Sequence, residues 1–223
     1  MNSPIRTLCY VCGVPLTSEN RTRDHVPPKG IFPRPLPEKL ITVPCCRNCN
    51  QVQSKDEDFF RLIATLGVDR TPEAEALYEQ RTLPNTIKKN RLKEEIAEMI
   101  STAETRWGEV NGVLQPISKI RVPVRPLKEV AAKVARGLLA HLYPDLDTHT
   151  LCFDAHLPSN DKLLEVFAFL SDDLTQLRIG GSAFHAYHGV CGDAPSVGVW
   201  LMVFHQRIPA VVFHSDQTHA SLF

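Results

Sequence analysis

Two cysteine pairs, Cys9-Tyr10-Val11-Cys12 and Cys46-Arg47-Asn48-Cys49, constrain the start of this chain more than any other feature. Each pair offers two sulfurs within one tight turn. Two such knuckles close a four-thiolate tetrahedral shell around one Zn2+, with Zn–S bonds of about 2.3 Å. A shell closed on four sulfurs leaves no position for a substrate, so the expected zinc is structural. Five of the seven cysteines fall within the first fifty residues. That clustering and the odd total argue against a disulfide scaffold and for thiolate ligands in a reducing compartment. Cys45 adjoins the second knuckle, but only Cys46 has the two-residue gap to Cys49. The expected ligand set is therefore Cys9, Cys12, Cys46 and Cys49, with Cys152 and Cys191 expected as buried thiols.

A chain of 223 residues is long enough for one large domain or for a small module with a larger partner. No apolar run approaches the roughly 20 residues that span a bilayer, so no membrane span is expected. The N-terminus lacks the basic start and apolar core of a secretory signal, and a cytosolic address is expected. Formal net charge is zero, yet the charge is uneven. Residues 1–55 hold eight Lys and Arg against three acids, which makes this segment the place where a polyanion would sit.

Five prolines between Arg21 and Pro37 exclude continuous helix and point to an irregular loop between two short strands, the second at residues 40–43. Phe59, Leu62, Ile63 and Leu66 at helical spacing, with Gly67 as a stop, predict a helix over about 50–66. A short helix is expected at 72–80. A charged amphipathic helix is expected at 87–106, burying Ile87, Leu92, Ile96 and Ile100. Asn111-Gly112 between apolar residues signals a hairpin, with strands at about 109–114 and 117–122. Leu127, Val130, Val134, Leu138 and Leu142 mark one face of a helix that ends before Pro144. Three extended stretches follow, at 163, 182 and 197, the last broken near Arg207 and Ile208, and Trp107 and Trp200 are expected in packing. The fold class expected is α+β: a zinc-stapled ββα module over 1–67, a helical connector over 68–107, and an antiparallel sheet with one packed helix over 108–223. Eight of nine histidines lie beyond residue 140. They lack ligand spacing, and His185 and His188 would face opposite sides of a strand, so ordinary structural or surface roles are expected.

Between the knuckles lies Arg23-Asp24-His25-Val26-Pro27-Pro28, and Asn50 directly follows the second knuckle. Over residues 9–60 this constellation resembles the HNH, or His-Me finger, endonucleases, in which a DH pair ends the first strand and an Asn or His opens the following helix. DHVPPKGIFP, VPCCRNCN and SKDE are similar to a zinc-knuckle subgroup of bacterial HNH proteins.

The resemblance implies a metal-dependent phosphodiester hydrolase acting on nucleic acid, with DNA the expected substrate. His25 is then the general base, its ordinary pKa of about 6.5 suiting neutral pH. Asp24 and Asn50 are the expected hard-oxygen ligands of a Mg2+ or Mn2+. Arg23, Lys29 and Lys55 are the candidate phosphate contacts, with Ser54 on the same helix face as Asn50. Neighbours on a strand point to opposite faces, so Asp24 and His25 are expected to share a site through a bend at Val26-Pro27-Pro28. One departure stands out: where the family pattern has an Asn that orients the loop carrying the His, this chain has Lys39, which cannot accept a hydrogen bond. That departure leaves room for a second reading, a zinc-stabilised module that binds nucleic acid without cutting it. A third reading is an assembly protein stapled by its zinc. The C-terminal domain is the expected seat of target selection or self-association.

Overall fold

The computed structural model describes residues 7–67, 70–110, 112–170, 174–192 and 194–216. Strands β1 (Arg21–Val26) and β2 (Ile41–Cys46) form an antiparallel hairpin, followed by α1 (Arg47–Val52) and α2 (Ser54–Thr65). The single helix expected at 50–66 is thus two. The first begins early because the Cys46 sulfur accepts the Cys49 amide at 3.4 Å and caps it. Helices α3 (Pro72–Leu77), α4 (Leu83–Lys88) and α5 (Asn90–Ser101) follow, with a wider turn over Tyr78–Thr82 between the first two. Thr71 caps α3 by accepting the Ala74 amide, and Pro72 sits at the first helical position, where its missing N–H costs nothing.

The helix expected over 87–106 ends at Ser101. There the hydroxyls of Ser101 and Thr102 take the carbonyls of Glu98 and Met99, and the alternating sequence beyond becomes β3 (Glu104–Val110), paired with β4 (Val113–Lys119). Both hairpin strands lie several residues earlier than expected; Asn111 of the turn lies outside the described residues. Of the four apolar positions expected inward on this helix, Leu92 is buried and Ile96 packs against the core, whereas Ile87 and Ile100 are exposed.

Helix α6 (Val124–Leu142) organises the rest. It packs on α2, β1 and β2 on one side and on β5 (Cys152–His156) and β9 (Ile208–Ser215) on the other. Leu127, Val130, Val134 and Leu138 are buried as their spacing requires, each contributing about 1.5–3 kcal/mol, while Leu142 is exposed. Gly137 lets α6 cross β1 at close range, since a Cβ there would stand 2.5 Å from Val26 Cγ2. The five-stranded sheet is antiparallel, in the order β5-β9-β8-β7-β6, with β6 at Thr175–Ile179, β7 at Phe184–Cys191 and β8 at Ala194–Phe204. The turn between β8 and β9 places His205 and Gln206 at positive φ.

Residues 163–170, expected as a strand, belong to α7 (Asn160–Leu170). A nearly continuous apolar run has no decisive period. Ser159 decides it by accepting the Lys162 amide, and Leu163, Val166 and Phe167 pack at helical spacing on Leu201 and Val211. One continuous core joins Cys9 and Phe60 of the hairpin region, Leu92 of the connector and Trp200 of the sheet. The divisions expected at 67 and 107 therefore do not separate cores. Trp200 is buried as expected. Trp107 is 70% exposed, and Cys152 and Cys191 are exposed thiols rather than buried ones.

Candidate metal centre and the Asp24–His25–Asn50 site

The four knuckle sulfurs of Cys9, Cys12, Cys46 and Cys49 all lie within 4.8 Å of one another. Cys12 Sγ and Cys46 Sγ are 3.8 Å apart, which is the edge of a tetrahedron with Zn–S bonds of about 2.3 Å. A metal ion such as zinc can be held here. Gly13 makes the first knuckle turn at φ +71°, and its amide donates to the Cys9 carbonyl at 2.9 Å. The Cys46 amide donates to Cys9 Sγ at 3.4 Å, so the backbone already supplies positive dipole to the sulfurs.

Cys45 Sγ lies 3.7 Å from Cys9 Sγ, fully buried. The Cys9 thiol is pulled down to about 3, chiefly by this Cys45 neighbour and against its own burial. Burial pushes Cys12 and Cys49 up, and for Cys49 the Cys12 and Cys46 sulfurs add to it. Crowded sulfurs resist sharing negative charge until a cation joins them, and a coordinated thiol is deprotonated outright.

The hairpin beyond the knuckle alternates in burial. Asp24 and Val26 point inward, Arg21 and Arg23 point outward, and the His25 ring is half-buried. Strand pairing continues through Val26, opposite Ile41, before the cis Val26–Pro27 bond. The bend thus falls one residue later than a shared Asp24–His25 face requires, and the two side chains leave the strand on opposite sides. Burial, then Lys29, lowers His25 below its ordinary value, while Asp24 opposes them. The ring is therefore neutral and able to accept a proton at neutral pH.

Asn50, from α1, reaches back to β1. Its amide nitrogen donates to Thr22 Oγ1 at 3.1 Å and to the Arg23 carbonyl at 3.5 Å, while Thr22 Oγ1 donates to the Cys45 carbonyl at 2.9 Å. This chain of bonds ties the helix after the second knuckle to both strands. It also spends the nitrogen of Asn50 and leaves the amide oxygen as the hard donor.

Asp24 has partners that the sequence did not suggest. Its Oδ2 accepts from Tyr10 Oη at 2.7 Å and pairs with Lys133 Nζ at 2.9 Å, and Lys133 also meets Glu57 Oε1 at 2.8 Å. Burial works against the charge on Lys133, but Glu57 and Asp24 more than offset it and hold its pKa above the ordinary value. Burial raises Glu57, against the pull of Lys133. Burial likewise raises Tyr10, reinforced by the Asp24 charge, so the phenol stays a donor. A Mg2+ or Mn2+ between Asp24 and Asn50 does not fit this arrangement, because a buried ammonium already supplies the positive charge that Asp24 would give to the ion.

Arg23, Lys29, Ser54 and Lys55 are exposed, as is Lys39. In place of an Asn at position 39, the proline-rich loop is held from outside. His205 Nε2 meets the Ile31 carbonyl at 2.8 Å, Gln80 and Arg34 exchange two hydrogen bonds, and Arg81 donates to the Lys29 carbonyl at 3.5 Å. The first knuckle is held similarly. Arg136 donates to the Val11 carbonyl at 3.3 Å, and Thr148 Oγ1 donates to the Tyr10 carbonyl at 3.0 Å. Lys133 and Arg136, three residues apart on α6, lie outside the apolar face that the spacing marked. A lysine and an arginine flanked by alanine and valine in AAKVARGLL were the available signal that this face is also buried.

His188, His205 and His214 are buried, with His188 stacked on Trp200 at 4.0 Å. Among the described residues, no helix is long and apolar enough to cross a membrane. No family model matches the chain, and neither curated proteins nor solved structures give a match.

Proposed function

We propose that this chain is a zinc-stapled hydrolase of nucleic acid phosphodiesters of the HNH kind, with DNA as the first substrate to test. One observation carries the reading. The Asn50 amide is bonded onto β1 at Thr22 and Arg23, so a residue from the helix of the second knuckle is held beside the strand end that carries the Asp24-His25 pair.

In the proposed reaction, neutral His25 accepts a proton from water and the water oxygen bonds to phosphorus. The bond from phosphorus to the leaving ester oxygen breaks, and that oxygen is protonated by solvent. Arg23 and Lys29, exposed beside His25, offset the charge that gathers on the phosphoryl oxygens. Asp24 is a positioning residue here, fixing Tyr10 behind the first knuckle and Lys133 beneath the strand. Lys55, with Ser54, lies on α2, past the break at Gln53 that separates them from Asn50 on α1, and would meet flanking phosphates. The divalent ion, Mg2+ or Mn2+, enters as a variable of the test.

A second reading, binding of nucleic acid without cleavage, is favoured by the Lys133–Asp24 ion pair, which ties up the carboxylate that an activating metal would use. Supercoiled DNA and a long RNA are incubated with wild type and with His25→Ala of equal zinc content, in Mg2+, in Mn2+ and in EDTA. Cutting by wild type and not by His25→Ala supports the hydrolase. Equal cutting by both removes His25 as base, and salt-sensitive binding with no cutting in any ion replaces the hydrolase with the binding module.

A further inference from the structure

Beside the His25 loop lies a groove of about 400 Å3 whose lining includes Lys29, Arg34, Arg81 and Lys88 together with Gln80 and Asn85. Its walls come from two stretches far apart in sequence, the proline-rich loop and the turn leading through α4. The walls are built against each other by the Gln80–Arg34 pair and by Arg81 on the Lys29 carbonyl. No acidic side chain lines it among the described residues, and none of its four cations is in an ion pair among them. This differs from the neighbouring surface, where Arg61 and Lys89 share Asp58 and Arg91 meets Glu95. Four like charges gathered around a concave space repel one another, and burial followed by Arg34 and Arg61 accordingly lowers the Arg81 pKa. A fold tolerates such a cluster when an anion neutralises it.

We infer that this groove is a binding track for consecutive phosphates of a nucleic acid strand running away from His25. The spacing of its parts supports that choice over a single small anion. Lys29 stands close enough to His25 to act on its charge, while Lys88 lies at the far end of α4. Asn85, half-buried in the lining, adds an uncharged donor that suits phosphate and sugar oxygens. The inference extends the proposed function by giving the strand a path, and it assigns this role to connector residues that carry no motif. It rests on that reading only for the class of ligand, since a track holds a strand whether or not His25 cuts it.

Fluorescence anisotropy of a labelled 20-base-pair DNA duplex is followed across a salt series for wild type, His25→Ala, Arg34→Ala/Lys88→Ala and Lys162→Ala, the last on α7. Arg34 and Lys88 are exposed, so the double variant is expected to keep its zinc and its melting temperature. The expected result is at least tenfold weaker binding by the double variant at low salt, with the slope of log K against log salt shallower by about 1.8, from about 0.9 per phosphate contact. Lys162→Ala is expected to bind as wild type does. An unchanged affinity and slope in the double variant overturns the track, as does a wild type that is stabilised by inorganic pyrophosphate but does not bind the duplex. Loss of binding in the double variant beside a wild type that never nicks DNA keeps the track and removes the hydrolase. Unaltered binding beside active nicking does the reverse.

Discussion

Among the described residues, two hairpins stand apart from the five-stranded sheet, and they live under opposite conditions. In β1–β2 nearly every second side chain is buried, and the hairpin is gripped by α1 and α6 and by the cysteine cluster at its end. In β4 every residue is exposed, and Trp107 on β3 is open to solvent. An isolated two-stranded hairpin is marginal in water. What separates the two is therefore not strand pairing, which both have in full register, but what the rest of the chain supplies to one side. The candidate site belongs to the supported hairpin, and its precision is borrowed from α6 and from the cysteine cluster.

Breaking the cluster should show the largest effect. Cys46→Ser or Cys49→Ser, or extraction of the metal by a strong chelator, is expected to unfold the segment from the first knuckle through α1, because metal binding at such sites is folding free energy of about 10 kcal/mol or more. Circular dichroism and zinc content before and after chelation check this. Cys45→Ala is the discriminating control. Its sulfur is close to Cys9 but outside the four-sulfur cluster, so one zinc per chain should remain. Loss of zinc in Cys45→Ala with retention in Cys46→Ser would exchange the two ligands.

The second effect in size tests the support from α6. Lys133→Met leaves Asp24 and Glu57 facing each other without their cation. Removing one partner of a buried pair is expected to cost about 3 kcal/mol. Chemical denaturation measures it. Adding Asp24→Asn to Lys133→Met should recover part of the loss, whereas additive losses would mean that the ammonium matters for packing rather than for charge.

How much of this was legible in the sequence differs between the same two regions. The four cysteines announced their cluster because metal coordination demands fixed residue types at fixed spacing. Helix α6 announced itself because its apolar face repeats from Leu127 through Leu138. Lys133 and Arg136 gave a sign only in their apolar flanks, since Asp24, Glu57 and the Val11 carbonyl, which they meet, are distant in sequence. The groove beside His25 was half legible: Lys29 belongs to the basic N-terminal segment, but Arg81 and Lys88 came from a stretch read only as a connector. The helix at 160–170 was misread because a buried apolar run looks alike in both states until Ser159 caps it and its neighbours are known.

A smaller effect sharpens the contrast from the sheet side. Burial, then the nearby His214 charge, lowers His188 to about 4, and burial lowers His214 to about 4 against the pull of the Pro195 carbonyl. Both rings are neutral in the folded protein and take up protons more readily once unfolded. Their contribution is thus fully present above about pH 6.5 and is lost as the pH falls toward about 4. Each ring is expected to cost about 2.5 kcal/mol by pH 4.5, since a tenfold change in proton affinity is about 1.4 kcal/mol. Melting curves from pH 7 to 4.5 check this, and His188→Phe, which keeps a ring on Trp200, should flatten the acid limb. An unflattened limb would move the acid sensitivity to the carboxylates.

The smallest effect expected is at the unsupported hairpin. Trp107 faces Pro116 across the ladder and is mostly solvent-exposed, so Trp107→Ala removes little area from a buried state and should change stability by no more than about 0.5 kcal/mol. Gly108, its neighbour, is the sensitive position instead, because the Ile117 side chain folds over it to within 2.3 Å of where a Cβ would stand. Gly108→Val should therefore destabilise more than Trp107→Ala, an inversion of the usual order in which losing a tryptophan outweighs changing a glycine. Denaturation midpoints of the two variants decide it. If Trp107→Ala proves the costlier change, and its cost grows with protein concentration, then a second copy of the chain covers the β3–β4 face, and the two hairpins differ in where their support comes from rather than in whether they have it.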